Sequence, residues 1–507
     1  MSTTTTAGPP DSGRLDPVVV RTATVVIAGA FMSILDTTIV NVALDRLAVE
    51  FATGVEHIQW IVTAYMLAMA AVIPLSGWVA VRFGAKRVFI ASAALFAVAS
   101  ALCGFAWSFE SLVAFRAIQG ASGGLLMPVG QLMLAQVAGP HRMGRVMSFV
   151  AVPMLVAPVV GPVLGGLLVD SWGWEWIFFV NAPVGVAAVV LAMRLLPTDR
   201  PGASGWPLDI VGVALMAIGV PAVTYGLAEV GIGGTLADTK AWLPIVAGLA
   251  LTIAYVLYAR RRPKPLINVR LFTNPGFAAA SFTSFALGAA LFGGMILMPL
   301  YEQGPRGLSA LETGLILAPQ GLGAAIGAPI AGRLTDRFGG GIIAMFGLAI
   351  LCVATVPFTF LSATTPQWLI MVALFFRGMG IGGSMMPAFA AAYAALKGPE
   401  IPDATSGLNV LQRVGGSIGT AILAVVLASQ LGNLTGGGGA PAATSADIPL
   451  PIREQMATAY ANTHWWVLGL SIIAFIPAIV LLRAERDARR RRADGPPVDV
   501  IMPPAEV

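Results

Sequence analysis

Fourteen stretches of about twenty apolar residues fill most of this chain, and they decide what it can fold into. A bilayer core about 30 Å thick is crossed by an α-helix of roughly 20 residues. Lipid offers the backbone no hydrogen-bond partners, so an apolar segment of that length can satisfy itself there only as a helix. The stretches are 19–42, 58–80, 88–107, 112–137, 146–169, 177–196, 208–230, 242–258, 277–300, 311–334, 342–361, 369–396, 406–431 and 465–482. The first is too long for a signal-peptide core and has no small-residue cleavage site, so it counts as a helix. Only 11% of the 507 residues are charged, less than half the share of about 25% in soluble domains. A soluble enzyme is excluded. Cys103 and Cys352 sit singly in apolar stretches, and His57, His141 and His464 are far apart, so no metal site is expected.

The basic residues orient the chain. With the N-terminus in the cytoplasm, 23 of the 30 Lys and Arg fall on inner segments and four on outer loops. That is the positive-inside asymmetry. An even span count then places both termini in the cytoplasm. The run Arg489–Arg492 is expected to meet anionic headgroups rather than nucleic acid. Arg116, Arg377 and Arg413 lie inside spans.

The chain also repeats itself. Gly77-Trp-Val-Ala-Val81-Arg82-Phe83-Gly84 recurs 255 residues later as Gly332-Arg-Leu-Thr-Asp336-Arg337-Phe338-Gly339. Gly123-Gly124-Leu-Leu-Met-Pro128 recurs 259 residues later as Gly382-Gly383-Ser-Met-Met-Pro387. Both pairs fall at corresponding places in the two halves. The expected architecture is an all-α membrane protein of two six-helix bundles with two helices inserted between them. Its parts are an N-terminal tail (1–18), a first bundle (19–200), the inserted pair (201–262), a second bundle (263–483) and a C-terminal tail (484–507). Duplicated bundles of this kind build alternating-access transporters, with the substrate near the midplane.

On these spans lie motifs that resemble the major facilitator superfamily, and within it the fourteen-span drug–proton antiporters. Leu35-Asp36-Thr37-Thr38-Ile39-Val40-Asn41 resembles the first-helix motif of that branch, and Gln59-Trp60-Ile-Val-Thr63-Ala-Tyr65 its second-helix opening. Arg116-Ala-Ile-Gln119-Gly120 is similar to the fourth-helix arginine motif, and Gly161-Pro162-Val-Leu-Gly165-Gly166 to the fifth-helix antiporter motif. Trp176-Ile-Phe-Phe-Val-Asn181-Ala-Pro183-Val-Gly185 and Pro265-Leu-Ile-Asn-Val-Arg270 continue the pattern. The resemblance implies a proton-coupled exporter of lipophilic small molecules such as drugs and antibiotics. It would work as a monomer in the bacterial cytoplasmic membrane, with the proton gradient as energy source and no cofactor. Dedicated export of one endogenous metabolite or lipid is an alternative, and a non-transporting sensor another. An ATP-driven pump is excluded by the lack of a phosphate-binding glycine loop.

Asp36 is the one acid expected well inside the hydrocarbon. Burying a carboxylate costs several kcal/mol unless it is paired or neutral, and a carboxyl poised between the two forms can carry a proton. The alternative is an Asp bonded to Thr37, Thr38 or Asn41 that only holds the bundle together. Arg116 lies at a matching depth and is its expected partner. The resemblance implies gating roles for the Gly77–Arg87 loop (Gly77, Arg82, Gly84, Arg87), for its second copy (Asp336, Arg337), and for Gly161, Pro162, Gly165 and Gly166. Val81 stands where the family has Asp, so the first of these locks is expected to be weak. Substrate-cavity candidates are Asn41, Gln59, Tyr65, Gln119, Arg377, Asn409, Gln412 and Arg413. Arg377 is expected at the position matching Arg116. The polar segment from Gly432 to His464 reads as a flexible outer loop.

Overall fold

The computed structural model describes residues 16–138, 142–199, 207–233, 237–435 and 449–493. Most of the two expected tails, and residues 436–448 of the expected outer loop, lie outside these. Thirteen helices among the described residues are long and apolar enough to cross a membrane, and they stand over thirteen of the fourteen expected stretches. The remaining stretch, 146–169, lies in the 30-residue helix Met143–Trp172.

We number the crossings in chain order. The first bundle contains α1 (Pro17–Glu50), α2 (Trp60–Phe83), α3 (Ala85–Gly104), α4 (Phe109–Ala138), α5 (Met143–Trp172) and α6 (Trp176–Leu195). The inserted pair is α7 (Ile210–Gly233) and α8 (Thr239–Arg261). The second bundle contains α9 (Pro275–Gln303), α10 (Ala310–Phe338), α11 (Gly340–Phe360), α12 (Gln367–Ala394), α13 (Ile401–Thr435) and α14 (Leu450–Ile473, continued as Phe475–Ala493). The last helix starts fifteen residues before its expected span. Its early turns are polar in sequence, yet Met456, Ala457, Tyr460, Thr463 and His464 are buried, so packing extends the helix beyond its apolar run.

The repeat is visible in the backbone. Gly84 and Gly339 have φ of +92° and +100°, the left-handed region that glycine adopts without strain, and each turns the chain into the next helix. The free N–H groups at those helix starts meet a carboxylate, from the segment just after α6 in the first bundle and from the last helix in the second. Asp199 accepts from Lys86 N and Arg87 N at 2.9 and 3.1 Å. Glu485 accepts from Gly340 N and Gly341 N at 3.2 and 2.9 Å. Negative charge at a helix N-terminus is stabilising.

The apolar core shows how the bundles meet. On the side where the chain termini lie, one cluster runs through both halves, from Val26, Met69 and Leu132 to Phe277, Phe389 and Leu408. On the far side the core divides. Leu35, Ile39, Ile61 and Phe178 belong to a cluster of the first bundle, and Leu297, Phe358, Leu374 and Val467 to a cluster of the second. The buried cores are thus fused at one end and divided at the other, where α5 and α10 still touch across the bundles: a Cβ on Gly314 would meet Val163. The inserted α7 packs against both α2 and α13. Its Tyr225 ring stacks on Trp60 at 5.8 Å.

Candidate functional site

The site grows from one carboxylate. Asp36 on α1 is fully buried, and its two oxygens take three side-chain donors from two other helices. Arg116 Nη1 on α4 stands 2.6 Å from Oδ2. Gln119 Nε2, one turn further along α4, donates to Oδ1 at 2.8 Å. Asn181 Nδ2, on α6, donates to the same oxygen at 2.9 Å. The expected link between Asp36 and Arg116 is therefore direct. The alternative, in which Asp36 leans on its own helix, does not occur. Thr37 and Thr38 turn their hydroxyls to backbone carbonyls at Ser33, Ile34 and Leu35, and Asn41 is exposed.

A second layer fixes the first. Arg116 also donates to Gln119 Oε1 at 2.7 Å and, through Nε, to the Ile61 carbonyl at 3.1 Å. The Tyr65 ring lies under its guanidinium, 4.2 Å from centroid to Cζ, and the Tyr65 hydroxyl pairs with Ser33 at 3.1 Å. Asn181 reaches Ser100 Oγ at 3.1 Å, which donates in turn to the Phe178 carbonyl at 2.9 Å. A buried charge pair holds only when its remaining donors and acceptors are also met, and this one is surrounded by such groups. Glycine permits the close approach: a Cβ on Gly120 would strike the Tyr65 carbonyl.

The other predicted residues separate into three groups. Asn409 bonds across the bundles to Gln131 Oε1 at 2.8 Å, while Gln412 turns to Met385 Sδ at 3.6 Å within its own bundle. Arg413 is half-buried and within electrostatic reach of Tyr65. Gln59 is half-buried at the start of α2, and no hydrogen bond to the Asp36 cluster is seen for it. Of the fifth-helix glycines, Gly161 meets Thr38 and Gly165 meets Ile39, so both pack α5 on α1 inside the first bundle; a Cβ on Gly166 would point into open space. The Pro162 side chain lies outside the described residues.

The gating loops behave unequally. Asp336 Oδ1 accepts from Gly144 N at 3.1 Å, and its Oδ2 stands 3.8 Å from Arg145 Nε, which ties the second bundle to the start of α5. The first loop has no carboxylate to do the same. Gly77 N instead donates to Ser406 Oγ at 2.9 Å, and Ser76 pairs with Ser406 at 2.8 Å. A Cβ on Gly77 would press into the Pro402 carbonyl. Arg82, Arg87 and Arg337 are exposed. These bonds and Asn409–Gln131 all join the bundles on the side where α1 begins.

Arg377 requires a correction. A Cβ on Gly378 would strike the Gln320 carbonyl and one on Gly382 the Ala324 carbonyl, as Gly120 does at Tyr65 and Gly124 at Met69. Tyr65 and Gln320 are 255 residues apart, the offset of the repeated loop. Gly378 thus takes the place of Gly120, and Arg377 that of Gln119 rather than Arg116. The sequence repeat Gly123-Gly124/Gly382-Gly383 sits one residue out of structural register. Sequence reasoning also gave no role to Asn181, Ser100, Gln131 or Ser406. It missed Glu302, a second buried acid at the far end of α9, whose Oε2 lies 3.4 Å from Arg306 Nε. A single Asn in an apolar span was a signal for Asn181. Glu302 was hidden because its span appeared to end at Leu300.

The sequence profile of the Major Facilitator Superfamily matches residues 26–420. The chain belongs to this superfamily. Its relatives include a multidrug resistance protein B homolog of Mycobacterium tuberculosis, 37% identical, with 96% of this chain and 95% of the relative covered. The multidrug export protein EmrB of Haemophilus influenzae is 30% identical over 77% of each chain. Putative multidrug resistance protein MdtD of Serratia proteamaculans is 32% identical, covering 80% of this chain and 84% of the relative. In fold the chain is similar to the human organic anion transporter MFSD10 (TETRAN), with a TM-score of 0.64, 15% identity, and 93% and 100% of the two chains covered. The protein is therefore a multi-pass membrane transporter and not an enzyme, as the motifs implied.

Proposed function

We propose that this protein exports lipophilic small molecules across the bacterial cytoplasmic membrane in exchange for protons. Both termini then face the cytoplasm, in keeping with the basic residues on that side. The observation that carries the reading is the buried Asp36–Arg116 pair, 2.6 Å apart and fully enclosed. A proton on Asp36 removes the negative charge and leaves Arg116 with Gln119, Ile61 and Tyr65. Removing one partner of such a pair changes the local free energy by about 3–5 kcal/mol, enough to shift a two-state equilibrium by two to three orders of magnitude.

The arrangement of the core supports a cycle. With the buried cores joined on the cytoplasmic side and divided on the far side, this state is read as facing outward with Asp36 ionised and paired. A proton arriving from outside breaks the pair and favours closure of the far side. The four groups that hold the cytoplasmic end shut, Ser406, Asn409, Gln131 and Asp336, then let go. Proton release inside restores the pair as substrate is taken up. The names of the relatives favour drugs and antibiotics as substrates.

The test is reconstitution in liposomes with an imposed pH gradient. Lipophilic compounds should move against their gradient only while the pH gradient lasts. Movement that ignores the pH gradient and follows an imposed sodium gradient would overturn the reading.

A further inference from the structure

We infer that the second bundle holds a small monovalent anion against Arg377. The helices α1 and α9 begin at Pro17 and Pro275, 258 residues apart, which sets Gly294 at the position of Asp36. Packing agrees. Asp36 meets Gln119 and Asn181. A Cβ on Gly294 would meet Arg377 Nη2 and Val467 Cγ1. Arg377 takes the place of Gln119, and Val467 meets Gly294 as Asn181 meets Asp36. The second bundle thus keeps the slot of the first, with the carboxylate deleted and a cation in its place.

Among the described residues, no carboxylate pairs with that cation. Arg377 is buried to 1% exposure. Its polar contact is a long one, Nη1 to Gln320 Oε1 at 3.5 Å, and its Nε has no partner. Phe358 covers it, with the ring centroid 5.9 Å from Cζ. The neighbouring His464 supplies no negative charge. Its Nδ1 faces the Tyr460 carbonyl at 2.8 Å, which only accepts, so Nδ1 carries the proton and Nε2, also without a partner, presents a lone pair. Arginine does not deprotonate in proteins. A fixed charge in a low-dielectric interior must be neutralised or it costs several kcal/mol. A carboxylate or halide bound at the open Nε–H, beside the Gln320 amide, does this. The shared chemistry is one negative charge and one or two acceptor atoms. The source is either a halide kept as counter-ion or the acidic group of a lipophilic acid that the protein carries.

The experiment uses the purified full-length protein in detergent, melted at constant ionic strength in sodium gluconate with increasing chloride, bromide or benzoate. The wild type should gain several degrees of melting temperature with a saturating dependence on at least one of these anions. A halide effect without benzoate identifies a counter-ion. A benzoate effect at concentrations at least tenfold lower identifies the acidic group of a carried molecule. Gly294→Asp supplies the missing carboxylate and displaces only the flexible end of Arg377. It should melt in gluconate as the wild type does in its best anion, and respond at least tenfold more weakly. Arg377→Gln should also lose the response. A wild type with no saturable response, or a Gly294→Asp variant that responds like the wild type, would overturn the inference.

Discussion

The two bundles contain the same slot, filled in opposite ways. In the first, α1 puts Asp36 into it, and Arg116, Gln119 and Asn181 converge on the carboxylate within 2.6–2.9 Å. In the second, α9 puts Gly294 there, and Arg377 stands alone with a partner at 3.5 Å. Duplication supplied one scaffold twice, and the charge survives as a switchable pair in only one copy. In the proposed cycle the first bundle changes its net charge by one proton. The second has a charge that no proton removes, and the inferred bound anion offsets it instead.

The contrast is broken most severely at the two arginines. Arg116→Leu leaves Asp36 buried without its counter-charge and should destabilise the protein by about 3–5 kcal/mol, with gradient-driven transport lost. In gluconate, without the bound anion, Arg377→Leu removes an uncompensated cation and should leave stability within about 1 kcal/mol of wild type, or raise it. Thermal unfolding of both variants in the same detergent compares them, and equal losses would mean that Arg377 has a partner as strong as Asp36. Arg116→Lys is the next step down. Lysine keeps the charge but cannot reach Asp36, Gln119 and Ile61 together, so transport should fall severalfold while coupling to the pH gradient persists. Asn181→Ala removes one charge-assisted hydrogen bond, about 1.5–3 kcal/mol, and should slow transport without uncoupling it, which a transport-to-proton ratio will show. The smallest effect is expected at Ser406→Ala. The loss of its contacts to Ser76 and Gly77 weakens the cytoplasmic closure by about 1 kcal/mol. Cysteine labelling from the cytoplasmic side should then rise by roughly fivefold.

The sequence made the membrane spans legible because lipid leaves few alternatives: long apolar runs and two repeated loops sufficed for the bundles and the inserted pair. It made Asp36 and Arg116 legible because a charge in hydrocarbon needs a reason. Asn181 stayed silent because its significance lies in α6 packing against α1 and α3, which brings it to Asp36, 145 residues away. Arg377 was placed one turn wrong because matching glycines do not fix the register of a helix; the carbonyls they pack against do. The serine closure at Ser76, Gly77 and Ser406 could not be read from Val81, which shows only that a carboxylate is missing. The position of α7 was equally hidden. Its apolar residues mark a membrane helix but not that it would lie between α2 and α13.

The central claim is that one proton on Asp36 drives the cycle. Its most direct measurement is proton flux through Asp36→Asn in liposomes, recorded with an internal pH dye while substrate is added to one side. The asparagine mimics the protonated carboxyl and cannot release a proton. Substrate addition should move no protons and a pH gradient should drive no accumulation, while exchange of substrate across the membrane persists. Substrate-dependent proton flux at the wild-type rate in this variant would contradict the account.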